Sequence, residues 1–359
     1  MNKSFLVIGA MALFGWAACR QSSSSPPEPT TPTTETLELP QPSYFPPLVY
    51  DLKSNPLTYD GFQLGRSLFY DGLLSRNGTI ACGTCHQQAV AFTHHGHDLS
   101  HGIDDKIGMR NAPPIQNMAW AKEFFWDGGV HQLDLFPIAP IENPVEMDEK
   151  LPNVLQKLRD SKNPNYPELF KKAFGSTEIT TERFTKALSQ FMVFLVSNNS
   201  RYDLYLRGTT NALTATEKEG LALFKQKCAT CHTGELFTDQ SFRNNGLDNS
   251  RSSDQGRFRI TQNPDDLYKF KVPSLRNVGY TSPYMHDGRF STLEQVLNHY
   301  ASNVQKTNTL DPALQANGQL GIAMTDDEKA KIIAFLKTLS DEQFVKDYRF
   351  ADPGFGKAF

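Results

Sequence analysis

Phe184, Leu188, Phe191 and Leu195 share one side of a 3.6-residue period at i, i+4, i+7, i+11, and Ile332, Phe335, Leu336 and Leu339 form an i, i+3, i+4, i+7 stripe. Each stripe predicts an amphipathic helix. Thr214 with Glu217 forms a capping box ahead of Leu221 to Gln226, and Thr325 with Glu328 does the same ahead of the second stripe. A further helix is predicted through Val154, Leu155 and Leu158. No segment sustains an alternation of apolar and polar residues, so extended sheet is not expected. The pattern is all-α, with short helices joined by long loops.

The ends of the chain are different. A lysine at position 3, an apolar run from Phe5 to Trp16 and Ala17-Ala18 directly before Cys19 predict a lipoprotein-type export signal over residues 1–19. On this reading Cys19 carries a lipid anchor on the periplasmic side of the cell envelope; simple secretion is the alternative. Residues 20–43 are mostly Ser, Pro, Thr and Glu and are expected to form a disordered tether, with the folded part starting near Tyr44. A formal net charge of −3 on 359 residues gives no reason to expect nucleic acid as a partner.

Of five cysteines, the four besides Cys19 form Cys82-Gly83-Thr84-Cys85-His86 and Cys228-Ala229-Thr230-Cys231-His232. Two thiols two residues apart can add to the two vinyl groups of one porphyrin, and the adjoining histidine then ligates its iron. Zinc would need both cysteine pairs on one ion, and a redox CxxC has no use for the histidine. Two haem c groups are therefore expected, with Cys82, Cys85, Cys228 and Cys231 as attachment points and His86 and His232 as iron ligands.

The motifs lie in a repeat. Ala91-Phe92-Thr93 answers to Leu236-Phe237-Thr238, Arg110-Asn111 to Arg276-Asn277, and Trp126-Asp127-Gly128 to His286-Asp287-Gly288. This predicts two c-type cytochrome domains, residues 44–205 and 206–345, each a few short helices and long loops around one haem. Arg201 to Leu213 reads as the hinge, and residues 346–359 as a tail.

Together with Gly108-Met109-Arg110-Asn111-Ala112-Pro113, Phe125-Trp126-Asp127-Gly128, Asn143-Pro144-Val145-Glu146-Met147, Phe270 to Asn277 and Pro283 to Phe290, these landmarks resemble the bacterial dihaem cytochrome c peroxidase and MauG family across roughly residues 45 to 345. The resemblance implies that the N-terminal haem reacts with hydrogen peroxide and that the C-terminal haem stores or relays electrons. It makes Glu146, twenty residues after Trp126, the catalytic acid-base group; the plainer reading is an acid leading into the next helix. Trp126 becomes the ring between the haems, against a plainer reading as core aromatic. A family loop that can carry a distal histidine has Ile103 at that place, which leaves His86 as the only protein ligand of the first iron. His101, two positions earlier, is the rival ligand. Tyr300, fourteen residues after His286, falls at the sixth ligand of the second iron, as in MauG, where many peroxidases have methionine; Met285 is its rival.

Two departures stand out: Phe136 replaces the family's distal glutamine, and Gly129 replaces an arginine. The resemblance also implies one calcium ion held by the Asn111 side chain and the carbonyls of Thr281 and Pro283, with water completing the shell. The expected function is a dihaem peroxidase that reduces hydrogen peroxide with electrons from a small cytochrome c or cupredoxin. A MauG-like enzyme that oxidises residues of a partner protein and a non-catalytic dihaem electron carrier are the alternatives.

Overall fold

The computed structural model describes residues 34–354 apart from positions 250 and 252. The export signal, Cys19 and most of the tether lie outside the described residues.

Two helix pairs dominate. Thr58 accepts a hydrogen bond from the Gly61 N–H and starts the helix Tyr59–Phe69, which packs on Thr181–Phe194, itself capped by Thr180. Ala215–Lys227 and Asp326–Lys337 begin at the two predicted capping boxes and pack in the same way. One glycine sets the approach in each pair. A Cβ on Gly65 would collide with the Ala187 carbonyl, and one on Gly220 with the Lys331 carbonyl. The first interface buries Leu68, Phe69, Phe184 and Phe191, the second Phe224, Ile332, Phe335 and Leu336. Each such side chain stabilises the fold by roughly 1.5–3 kcal/mol.

A buried ion pair ties the parts together. Arg276, fully buried, donates to both Asp203 oxygens at 2.9 Å and to the Glu235 carbonyl at 2.7 Å, with its guanidinium 4.6 Å from the Phe45 ring centre. Among the described residues no helix is long and apolar enough to cross a membrane.

Two expectations need correction. Arg201 to Leu213 is not open linker throughout, because Ser200 and Asp203 form a capping box that folds Arg201–Leu206 into a helix. The chain is pinned before Tyr44: the Leu37 N–H donates to the Leu57 carbonyl at 3.0 Å, the Tyr59 N–H to the Glu35 carbonyl at 2.8 Å, and Leu39 is buried. The fold is mostly helical as expected; the one sheet among the described residues is a two-residue pairing, Phe242–Arg243 antiparallel to Phe270–Lys271. In addition, the last described segment folds back on the first half. Phe344 and Phe350 pack around Phe92, and Tyr70 donates to the Phe350 carbonyl at 2.7 Å.

Candidate haem sites

His86 and His232 are held in the same way. Nδ1 of His86 lies 2.9 Å from the Phe92 carbonyl, and Nδ1 of His232 lies 3.0 Å from the Phe237 carbonyl. Phe92 (φ 61°) and Phe237 (φ 54°) are both left-handed, which turns these carbonyls back towards the rings. A carbonyl can only accept, so Nδ1 carries the proton and Nε2 is left as a metal-ligating lone pair. Burial lowers both imidazoles below their ordinary range, which keeps them neutral.

The hydrogen bonds behind these turns show the true phase of the repeat. Thr93 donates to the Ala112 carbonyl as Thr238 does to the Val272 carbonyl. Asn117 donates its N–H to the Leu195 carbonyl as Asn277 does to the Leu339 carbonyl, and both are left-handed. Asn277 therefore answers to Asn117, not to Asn111. The third correspondence stands: bridges Phe124 to Val130 and Tyr284 to Phe290 enclose the Trp126 and His286 turns alike.

None of the four motif cysteines is taken up by a disulfide, so all are available for attachment. Cys228, Cys231 and His232 line one cavity of about 650 Å³, within the range of roughly 300–1,000 Å³ that holds a cofactor-sized molecule. Thiols, a neutral imidazole and an enclosed apolar volume fit a covalently held haem.

Beyond the proximal histidines the sites diverge. Near Cys85, the Ile103 N–H donates to the Glu146 carbonyl at 2.8 Å, and a Cβ on Gly102 would collide with the backbone of Val145 and Glu146. Ile103 is fully buried. The Glu146 carboxylate accepts from Asn143 Nδ2 at 2.9 Å; burial nevertheless holds its proton more tightly than in an ordinary carboxyl. The His101 carbonyl faces Cys85 Sγ at 3.3 Å, and the His101 ring stacks near His97 with centres 4.1 Å apart. Nδ1 of His94 is buried without a hydrogen-bond partner, yet among the described residues no group of three or more His, Cys, Asp or Glu is arranged to hold a metal ion. Phe136 is turned into an aromatic group, its ring 4.7 Å from that of Phe125.

In the second site Tyr300 lines the 650 Å³ cavity with His232, on a turn of π-helix at His299–Asn303. Burial pushes its phenol up to about 12, with Asn245 opposing. Met285 lines the same cavity and accepts from Asn245 Nδ2 at 3.4 Å. Trp126 donates from Nε1 to the Asn111 carbonyl at 2.9 Å and borders both this cavity and a second one of about 90 Å³. Asn111, Thr281 and Pro283 all line the larger cavity, and Asn111 Nδ2 is used on the Asp98 carbonyl at 3.0 Å.

A family model described as di-haem cytochrome c peroxidase matches residues 59–211, and one described as cytochrome c matches residues 217–340. The chain is 36% identical over 299 residues to the methylamine utilization protein MauG of Methylorubrum extorquens, covering 81% of each chain. It is 37% identical over 296 residues to the cytochrome c551 peroxidase of Nitrosomonas europaea, covering 80% of this chain and 82% of the relative. The chain belongs to the dihaem cytochrome c peroxidase and MauG family.

A solved structure of a MauG-like protein associated with microbial copper homeostasis superposes on this dihaem protein with a TM-score of 0.78 at 35% identity, covering 88% of this chain and 99% of that one. As in its family, two haem c groups and oxidoreductase chemistry go with the fold. Sequence reasoning quoted Asn143 and Lys271 only as letters of a motif, with no role, and passed over Asn245. The two asparagines sit in loops whose polar composition looks like any turn, and only the fold brings them onto Glu146 and Met285.

Proposed function

We propose that this dihaem enzyme reduces hydrogen peroxide at the site of His86, taking two electrons and two protons to give two waters. The observation that carries this reading is the pairing of fully buried Ile103 with the Glu146 backbone beside Cys85: a side chain that cannot ligate stands next to a carboxyl that can move a proton. The haem, when bound by Cys82, Cys85 and His86, supplies a redox-active iron. Glu146 takes a proton from one peroxide oxygen and returns it to the other, and its raised proton affinity suits it to hold that proton between the two events. Asn143 fixes the carboxylate's direction. Trp126 links the two sites, and Tyr300 with His232 holds the second iron. Asn111, Thr281 and Pro283 hold one calcium ion with water; all three line the same cavity. Electrons come from a small cytochrome c or cupredoxin, and the lipid on Cys19 keeps the enzyme at the periplasmic side of the envelope.

A second reading spends the same oxidising equivalents on residues of a partner protein. Tyr300 inside the second cavity favours it, because a phenolate supports higher oxidation states of iron than a thioether does. The 35% identical relative's link with copper homeostasis makes a copper-handling protein the first partner to try.

Electron paramagnetic resonance of the fully ferric protein, followed by peroxide turnover with reduced cytochrome c, tests the proposal. One high-spin and one low-spin haem with donor oxidation is expected. Two low-spin haems would mean that His101 closes the first site and that the protein is an electron carrier. A high-spin signal without donor oxidation would favour the partner-protein reading.

A further inference from the structure

Six residues border both the 650 Å³ cavity and the 90 Å³ cavity: Pro114, Trp126, Lys271, Val272, Pro273 and Ser274. Lys271 is the one ionisable side chain in this shared wall. Its place is fixed at both ends. The Lys271 N–H donates to the Trp126 carbonyl at 2.7 Å, and Nζ donates to the Glu123 carbonyl at 2.7 Å, three residues before the indole. A two-residue strand paired with Phe242–Arg243 holds the backbone between those points.

We propose that Lys271 acts through Trp126, its ammonium setting how readily the indole gives up an electron and how high the reduction potential of the neighbouring His232 site stands. This rests on the reading of Trp126 as the link between the haems. With peroxide as oxidant, one electron leaves Trp126 towards the His86 site and one arrives from the His232 site. Nε1 keeps its proton against the Asn111 carbonyl, so a positive charge stands on the indole between the two transfers. A half-buried ammonium on the same wall opposes that charge, since solvent screens it only in part.

The same ammonium favours reduced over oxidised iron in the second cavity, which raises that potential. Burial lowers the Lys271 amine to about 8, while the carboxylates of Glu123 and Asp127 oppose the shift. Both acids are partly committed elsewhere: Glu123 to Arg257 at 3.1 Å and His131 at 3.0 Å, Asp127 to Arg110 at 2.6 Å. The lysine is therefore charged below about pH 8 and neutral above it.

The test compares wild type, Lys271→Met, Lys271→Arg and Trp126→Phe as holoproteins with both haems attached. Spectroelectrochemical titration of the His232-side haem is run across the pH range on either side of the lysine's transition, with stopped-flow inter-haem transfer after peroxide as a second readout. In wild type the potential should fall and the transfer quicken as pH rises. Lys271→Met should give the high-pH values at every pH, with a several-fold faster transfer at neutral pH, and Lys271→Arg the low-pH values. If Lys271→Met keeps the wild-type potential and pH profile while Trp126→Phe slows transfer, the role of Lys271 is overturned and that of Trp126 stands. If Trp126→Phe leaves transfer unchanged, the link itself falls, and this inference with it.

Discussion

The His86 and His232 sites share a proximal side and differ in what faces it. Both histidines give Nδ1 to the carbonyl of a left-handed phenylalanine, both turns are braced by a threonine, and both sit against a helix pair closed by one glycine. Around these common parts, Ile103 bonds the Glu146 backbone near Cys85 in the first half, while Tyr300 and Met285 line the cavity of His232 in the second. Duplication copied the part that holds a haem, and the divergence lies in loops free of that task. A haem holder is demanding in geometry; on the function proposed above, one loop position, Ile103, would decide whether the first iron stays open.

That contrast can be broken. Replacing Glu146 by Gln should lower peroxide turnover by about 10²–10⁴-fold in kcat. The variant should fold as well as wild type, because a neutral amide avoids the penalty that burial imposes on the carboxylate. Steady-state kinetics with thermal unfolding separates the two effects. Ile103→His gives the first site a second ligand; the high-spin ferric signal should disappear from the resonance spectrum, with activity returning only after reduction of the partner haem. Survival of the high-spin signal would show that position 103 does not face the iron.

Asp203→Asn strips the buried Arg276 of its partner and should destabilise the fold by about 3–5 kcal/mol in chemical denaturation. Burial pushes the Asp203 carboxyl up, but Arg276 and Ser200 outweigh it and hold it below the usual range. Its folded value thus lies under its unfolded value of about 3.9. The pair's stabilisation is present above that value and is lost as pH falls through the lower folded one. The smallest effect compares the helix pairs: Gly65→Ala and Gly220→Ala should each cost about 1–3 kcal/mol, because backbone carbonyls must move. Unequal losses in paired denaturation curves would mean that the two interfaces do not relax alike.

Much of this arrangement was legible in the sequence where the cause is local. The CxxCH motifs, the Thr214 and Thr325 caps and the Phe184 stripe depend on neighbours within one or two turns, and each appears as read. The phase of the repeat between Phe92 and Trp126 was misread because Arg110-Asn111 and Arg276-Asn277 match in letters. The protein matches Asn117 with Asn277 by the carbonyls they meet, Leu195 and Leu339, at the ends of distant helices. Lys271 carries no signal of burial in a run that reads as loop; only its pairing with Trp126 and Glu123 draws it partly out of solvent. Leu37 and Leu39 were invisible for a similar reason, two apolar residues amid Pro, Thr and Glu whose partner, Leu57, lies in another segment.

Phe344 and Phe350, from the far end of the described chain, cover the ring of the residue whose carbonyl holds His86. The unit of duplication is therefore not the unit of folding. The core around Phe92 closes only when a segment from beyond the second repeat is laid on it, so loosening that segment should disturb the first haem site before the second.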